Sequence, residues 1–385
     1  MHKPASHNFL PDQYDRDQKL SINHNYLVEQ FADSAEILKK IADLVARCDY
    51  TLGREVDEFE ARICGLIGAK HAVGVGSGTD ALMLSLKALG IGEGDDVITT
   101  PYTFFATIGA IVTAGARPVF ADVGADYNID PDQIEAAITE RTRAILPVHW
   151  AGLPCDMKRI REIADKHSLK VVEDSCHAIL AQRDETFAGR FGDTGCFSLH
   201  PLKNLNVWGD GGYLVTDSDE LHEKLCLLRN HGLLNRDETA VFAYNSRLDT
   251  LQAIVANHLL DKLPHITDSR IAHANYFDDG LAGMDELTIP ARPENVKQVY
   301  HLYVIRAERR DELQAFLQAS QIDAKVHYPI PMHLQPAAKD YGHARGDFPV
   351  AEAICDSVIS LPVHEFVTQD QQDFVVSKIK EFYAG

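Results

Sequence analysis

The sequence predicts an α/β fold: a mainly parallel sheet covered by helices on both faces in a three-layer large domain, followed by a smaller α+β domain. Three observations carry this expectation. Short apolar runs alternate with helix-periodic stretches from about residue 54 to 216, and the pattern turns helix-dominated after Asp217. The chain has 385 residues, enough for two domains of about 100–200 residues each.

Residues 55–66 read as an amphipathic helix, with Val56, Phe59, Ile63 and Leu66 on one face. Residues 71–75 read as a buried strand, and a Gly-Ser-Gly-Thr-Asp turn then opens a helix that runs through Leu89. Strand-like runs follow at 97–99, 118–122, 144–148, 171–173, 196–199 and 212–216, with helical stretches between most of the earlier ones. Helical patterns then reach about residue 283, including 248–263. A strand at 300–306, a helix at 311–320, a strand at 324–328 and a terminal helix at 369–383 complete the chain. The expected division is an N-terminal arm over 1–25, a large domain over 26–258 and a small domain over 259–385. There is no internal repeat or low-complexity segment.

Composition narrows the function classes. With 37 basic and 57 acidic residues the formal net charge is −20, which repels nucleic acid and anionic membranes. No apolar core of a secretory signal stands near the start, and no run of about 18 apolar residues occurs. The seven cysteines, at 48, 64, 155, 176, 196, 226 and 355, are odd in number and form no CxxC pair. That argues against a disulfide framework or a thiolate metal site and suits a reducing cytoplasm.

Four segments could carry chemistry. Gly74-Val75-Gly76-Ser77-Gly78-Thr79-Asp80 lies between a strand and a helix, where glycines let an anion approach unpaired N–H groups. Its ordinary reading is a tight turn with a capping side chain. A dinucleotide fingerprint would need a third glycine where Thr79 stands, so that match fails. Val172-Glu173-Asp174-Ser175-Cys176-His177 ends a buried strand, where ligands of open α/β sheets bind. Asp174 there could pair with a protonated ring nitrogen or simply cap a helix. Residues 196–206, followed by Gly209-Asp210-Gly211-Gly212, place Lys203 just past an apolar strand. Burial there would favour the neutral amine that a Schiff base or a general base requires, although most lysines lie on the surface. Tyr244-Asn245-Ser246-Arg247-Leu248-Asp249 opens a helix and reads on its own as a cap. Alone, each segment has an ordinary structural reading; together, in this order along the chain, they become specific.

Taken together they resemble the DegT/DnrJ/EryC1/StrS family of pyridoxal 5′-phosphate (PLP)-dependent sugar aminotransferases, which has the fold-type I architecture. The resemblance covers about residues 22–383. It rests on SGTDAL at 77–82, TPYTFFAT at 100–107, PVFADV at 118–123, VEDSCHA at 172–178, GCFSLHPLKNLNVWGDGG at 195–212, NSRLDTLQA at 245–253, HYPIPMHLQPA at 327–337 and SLPV at 360–363.

The resemblance implies that Lys203 forms the Schiff base with PLP and carries the proton, and that Asp174 pairs with the pyridine nitrogen. His177 stands where the family often has a Gln that contacts the 3-oxygen. Phe104 matches the aromatic stacked on the ring, Gly78 and Thr79 match backbone donors to the phosphate, and Ser198 matches its hydroxyl donor. Asn245 matches a residue reaching the phosphate from the neighbouring subunit, which implies a homodimer with shared active sites. His200, Trp208, His327, Tyr328 and His333 are expected on the sugar side. The implied reaction takes nitrogen from L-glutamate, stores it as pyridoxamine phosphate and passes it to a nucleotide-linked keto-sugar.

Three rivals are weighed against this. A pyridoxamine-phosphate-dependent sugar dehydratase of the same fold would carry His in place of Lys203, which instead stands five residues after Ser198 as in the aminotransferases. A non-catalytic descendant would have lost Asp174, Lys203 or Asn245. A nicotinamide enzyme is opposed by Thr79. A keto-cyclitol acceptor stays open, and no feature of the sequence names the nucleotide, the sugar or the carbon aminated.

Overall fold

The computed structural model describes residues 20–385; the first 19 residues of the expected arm lie outside the described residues. From Ile22, which bridges to Ile322, the chain passes through α1 (Leu27–Gln30) and α2 (Ala35–Arg47) to α3 (Arg54–Ile67). Helix α3 buries Val56, Phe59, Ile63 and Ile67, spaced at helical intervals, and stops at Gly68 in the left-handed region (φ +71°). The expected stripe is thus present, with Ile67 rather than Leu66 completing it.

The central alternation follows: β1 (His71–Val75), α4 (Gly78–Ala88), β2 (Asp96–Thr99), α5 (Phe105–Ala114), β3 (Arg117–Phe120), α6 (Pro131–Ala137), β4 (Thr142–Ile145), α7 (Met157–His167) and β5 (Lys170–Asp174). A two-strand ribbon, β6 (Gln182–Arg183) and β7 (Thr186–Phe187), leads to β8 (Thr194–Ser198) and β9 (Gly212–Thr216). These strands, apart from the ribbon, form a seven-stranded sheet ordered β1-β9-β8-β5-β4-β2-β3. Pairing is parallel from β8 to β3, whereas β9 runs antiparallel to both neighbours.

Both faces of the sheet are covered, which is why its strands read as continuous apolar runs. Val73, Val75, Cys196 and Leu214 pack with α4 and α5, including Leu82 and Ala110. Their chain neighbours Ala72, Phe197, Tyr213 and Val215 pack on the other face with Phe59, Ile63 and Ile254. The alternation of side chains along a strand makes this division.

After α8 (Asp219–Arg229) the expected helix at 248–263 is α9 (Thr250–Leu260), and α10 (Leu263–Leu281) begins after two intervening residues. A proline in the first turn of α10 lacks the N–H that would continue the earlier helix. Residue 258, the expected domain junction, lies inside α9. The remaining chain forms β10 (Leu287–Thr288), β11 (Val296–Lys297), β12 (Tyr303–Ala307), α11 (Arg310–Ala319), α12 (Pro349–Ser357), β13 (Val358–Leu361) and α13 (Gln369–Ala384). Strand β11 joins the β6–β7 ribbon, and β10-β12-β13 make an antiparallel sheet. Phe277, Tyr303, Leu313, Ile359 and Val375 fill the core beneath that sheet.

Two local expectations are corrected. Residues 324–328 form no strand but a single bridge, Lys325 to Ser360 on the outer edge of β13, because Tyr328 turns left-handed (φ +61°). The strand expected from residue 300 starts at Tyr303, since Tyr300 also has a positive φ of +47°. Among the described residues no helix is long and apolar enough to cross a membrane.

Candidate active site

A cavity of about 610 Å³ opens beyond the carboxyl ends of β5 and β8 and is closed on its far side by residues 325–328 and 361–364. Ligands of open α/β sheets bind at this edge, where helix starts and strand ends converge. Asp174 is the last residue of β5 and is almost fully buried. Its Oδ2 accepts a 2.8 Å hydrogen bond from Thr107 Oγ1, and its Oδ1 a 3.2 Å bond from the Cys176 N–H. Thr107 is in turn 2.7 Å from the Thr103 hydroxyl, so the carboxylate is fixed from α5.

The start of α4 forms another wall. Ser77 caps it by accepting from the Asp80 N–H at 3.1 Å, which leaves the Gly78 and Thr79 N–H groups without intrahelical partners. A Cβ at Gly78 would stand 2.8 Å from Ser198 Cβ and 2.9 Å from Cys176 Sγ. One at Gly212 would stand 2.4 Å from the Ser77 carbonyl carbon. Glycine at both positions is what lets the helix start press against β8 and β9. The result is a cradle of backbone donors with the positive end of the helix dipole behind it, fit for a phosphate.

Lys203 sits in the connection from β8 to β9 and lines the same cavity. Burial pushes its amine below the usual lysine range, while Cys176 and Asp174 partly oppose that shift. His177 is buried, with Nδ1 lacking a hydrogen-bond partner, and its ring lies 4.3 Å from that of His301. Burial, reinforced by the Lys203 charge, drives both imidazoles well below their ordinary value, so each is neutral. His327, 2.8 Å from Ser360 Oγ, is pushed down to about 3, chiefly by burial. Burial likewise lowers His200. Tyr328 packs 4.9 Å from Trp150 and 5.8 Å from Phe104, which remains 47% exposed at the cavity mouth.

The structure therefore gathers Gly78, Thr79, Phe104, Asp174, His177, Ser198, His200, Lys203, His327 and Tyr328 around one cavity. Trp208 and His333 lie elsewhere, and Asn245, expected to reach the neighbouring subunit's site, stands outside its own cavity. Asn245 is exposed before α9 and bridges to Asn230. Trp208 packs edge-on against Phe31 at 5.5 Å, against the core that Phe59 and Ile254 fill. His333 is buried beside Phe348 and is 3.0 Å from Glu352, away from the cavity wall. Conversely, His24, Tyr26, Thr107, Arg270, His301 and Lys325 line the cavity although the sequence reading assigns them no role. Thr107 closes one of the family-like segments; the others sit in no local motif. No group of three or more His, Cys, Asp or Glu among the described residues could hold a metal ion.

The donor set fits a PLP-type group: a glycine-built anion cradle, a fixed carboxylate and a buried amine on one cavity. The chain matches the model of the DegT/DnrJ/EryC1/StrS aminotransferase family over residues 32–380. It belongs to that family. Among curated relatives, the UDP-N-acetyl-3-dehydro-alpha-D-glucosamine 3-aminotransferase of Acidithiobacillus ferrooxidans is 42% identical over 91% of this chain and 94% of its own. A Geobacillus stearothermophilus protein named a pleiotropic regulatory protein is also 42% identical, over 93% and 97%. The crystal structure of S. venezuelae DesV in complex with a ketimine intermediate superposes with a TM-score of 0.90 at 40% identity, covering 92% of this chain and 96% of that one. The Bacillus subtilis protein NtdA, solved with bound cofactor PMP, has a TM-score of 0.86 at 28% identity, over 98% and 89%. The chain is thus an aminotransferase of a PLP-dependent family.

Proposed function

We propose that this chain moves an amino group from L-glutamate to a nucleotide-linked keto-sugar, with PLP held on Lys203. The observation that carries the reading is one cavity containing the Lys203 amine, the Asp174 carboxylate and the start of α4. The Gly78 and Thr79 N–H groups and the Ser198 hydroxyl would hold the phosphate. Asp174, kept in place by Thr107 and the Cys176 N–H, would pair with the ring nitrogen. His177 would meet the 3-oxygen, and Phe104 would cover the ring. When bound, the group supplies an electron sink for negative charge at the donor's α-carbon.

Lys203 Nζ then does the proton work of both halves. It removes the α-proton of glutamate and later delivers a proton to the sugar carbon that receives nitrogen. Its lowered basicity favours the neutral amine that the first step needs. His200, His327 and Tyr328 line the space left for the sugar. The names of relatives acting on nucleotide-linked sugars support that acceptor class.

A homodimer is part of the proposal. Asn245 is exposed outside its own cavity, while Phe104, Phe105 and Phe242 present apolar surface that a second copy would cover. Seven free cysteines support a cytoplasmic location. The net charge of −20 opposes nucleic-acid or membrane partners. A large domain ending near the close of α9 and a small domain beyond it is the proposed division.

The test is borohydride reduction of the PLP-loaded protein followed by peptide mapping, with the label expected on Lys203. In a separate, unreduced sample glutamate should bleach the visible absorbance, and a nucleotide-linked keto-sugar should restore it. Reduction that leaves Lys203 unmodified overturns the assignment; restoration by keto-inositols alone moves the acceptor to the cyclitols.

A further inference from the structure

The main chain of Lys203 is held at both of its polar groups. Its N–H donates to the His200 carbonyl at 2.8 Å. Its carbonyl accepts from two side chains, Asn206 Nδ2 at 3.0 Å and Tyr26 Oη at 3.3 Å, one for each lone pair. Behind them the bonds continue. Asn206 Nδ2 also donates to Gln30 Oε1 at 2.8 Å, and Gln30 Nε2 donates to Glu365 Oε1 at 3.2 Å. Glu365 Oε2 faces Arg270 Nη2 at 3.9 Å, and Arg270 is anchored by donating from Nη1 to the carbonyls of Tyr300 and His301 at 3.1 and 3.3 Å. Tyr26, Gln30, Asn206 and Arg270 are all buried.

This line joins three stretches far apart in sequence: residues 26–30, the Lys203 connection, and the small-domain positions 270 and 365. Burying so many polar groups is costly, and packing alone would be served by apolar residues. The cost is not fully offset, since Asn206 Oδ1, Arg270 Nε and Nη2 and Glu365 Oε2 have no hydrogen-bond partner. The line ends at the residue whose side chain does the chemistry. With both neighbouring peptides fixed, the amine moves only through its own four-carbon stem. The position of its Cα then decides whether one amine reaches both reacting carbons, and a misplacement of about 1 Å can cost about a hundredfold in rate.

We propose that Tyr26 and Asn206 are positioning residues for Lys203, clamping its carbonyl while Gln30, itself tied to Glu365 of the small domain, braces the clamp. The proposal rests on the reading of Lys203 as the proton-carrying lysine. Neither residue touches the reacting atoms; both act through the lysine's main chain.

Tyr26→Phe is the cleanest variant, because the ring stays stacked on His364 at 4.8 Å and beneath Arg270 at 5.2 Å while only the hydroxyl is lost. Asn206→Ala removes the second donor. Each single variant should slow the glutamate and keto-sugar half-reactions by the same factor, about tenfold, since one buried hydrogen bond is lost. The KM values should stay within about twofold of the parent. In the full chain stripped of cofactor, the pH profile of Lys203 acetylation, followed by mass spectrometry, should move upward in the variants as a loosened amine reaches water.

Unequal factors in the two halves, an effect on KM alone, or an unchanged acetylation profile overturns the clamp. An unlabelled Lys203 after borohydride treatment of the parent sinks the underlying reading, and this one with it. A labelled Lys203 with unaffected variants sinks the clamp alone.

Discussion

Thr107 Oγ1 lies 2.8 Å from Asp174 Oδ2, so the hydroxyl of one helix holds the carboxylate that ends a neighbouring strand. Thr107→Val keeps the shape and removes this donor. Expected are a loss of about 1–2 kcal/mol in stability and a tenfold or so fall in the rate of both half-reactions. Denaturant midpoints and single-turnover absorbance would check the two parts separately.

Lys203→Arg leaves a cation of similar length that cannot give up its proton. Both half-reactions should fall by about 10²–10⁴, the usual weight of a general base, with retained cofactor binding measured by fluorescence titration. A variant that still turns over within tenfold of the parent would contradict the role given to this amine.

Two glycines separate fold from site. At Gly212 a methyl group would meet the Ser77 backbone at 2.4 Å, so Gly212→Ala should cost roughly 1–3 kcal/mol or more and weaken cofactor binding through a displaced α4 start. Gly65→Ala, on the exposed side of α3 with nothing within 4 Å of the new methyl, should instead stabilise by about 0.5–1 kcal/mol and leave the cofactor Kd unchanged. Thermal melts and cofactor titrations of the pair make the comparison.

Acid should unfold the protein through its buried imidazoles. His24 is pushed down to about 4, and His327 and His364 to about 3, in each case chiefly by burial. The unfolded chain, titrating near 6.5, binds these protons first, so stability is full above that pH and falls as pH drops towards 4 and then 3. Each group adds at most about 1.4 kcal/mol per pH unit within its window. Denaturant midpoints from pH 7 to 4 should fall, and less steeply in His364→Gln; a flat profile would contradict buried neutral rings.

Much of this was readable before the structure, for reasons of locality. A strand buried on both faces announces itself as a continuous apolar run, so β1 and β9 stand where the pattern put them. The helix start at Ser77 is written within four residues. Lys203 and Asp174, by contrast, became convincing through family resemblance, since a lone lysine or a lone capping acid carries little. What stayed hidden is non-local. Residues 324–328 have strand-like composition, yet they keep only the Lys325–Ser360 bridge to β13, a partner more than 30 residues away in the chain. Tyr26 and Arg270 reach the cavity from opposite parts of the chain, and no periodicity marks either. His333 shows the converse: a histidine near a Pro-rich turn reads as a contact, but in the fold it is held by Glu352 and packed on Phe348.

The reversed direction of β9 bears on how such an enzyme can diversify. Parallel neighbours are linked by long crossovers that absorb inserted residues, whereas β8 and β9 are antiparallel partners whose connection is closed at its base by the Leu199 N–H on the Gly211 carbonyl at 2.8 Å. Extra residues there would shift the lysine itself. Exchanging side chains on the facing wall, around His327 and Tyr328, would instead reshape the space beside the lysine without moving it.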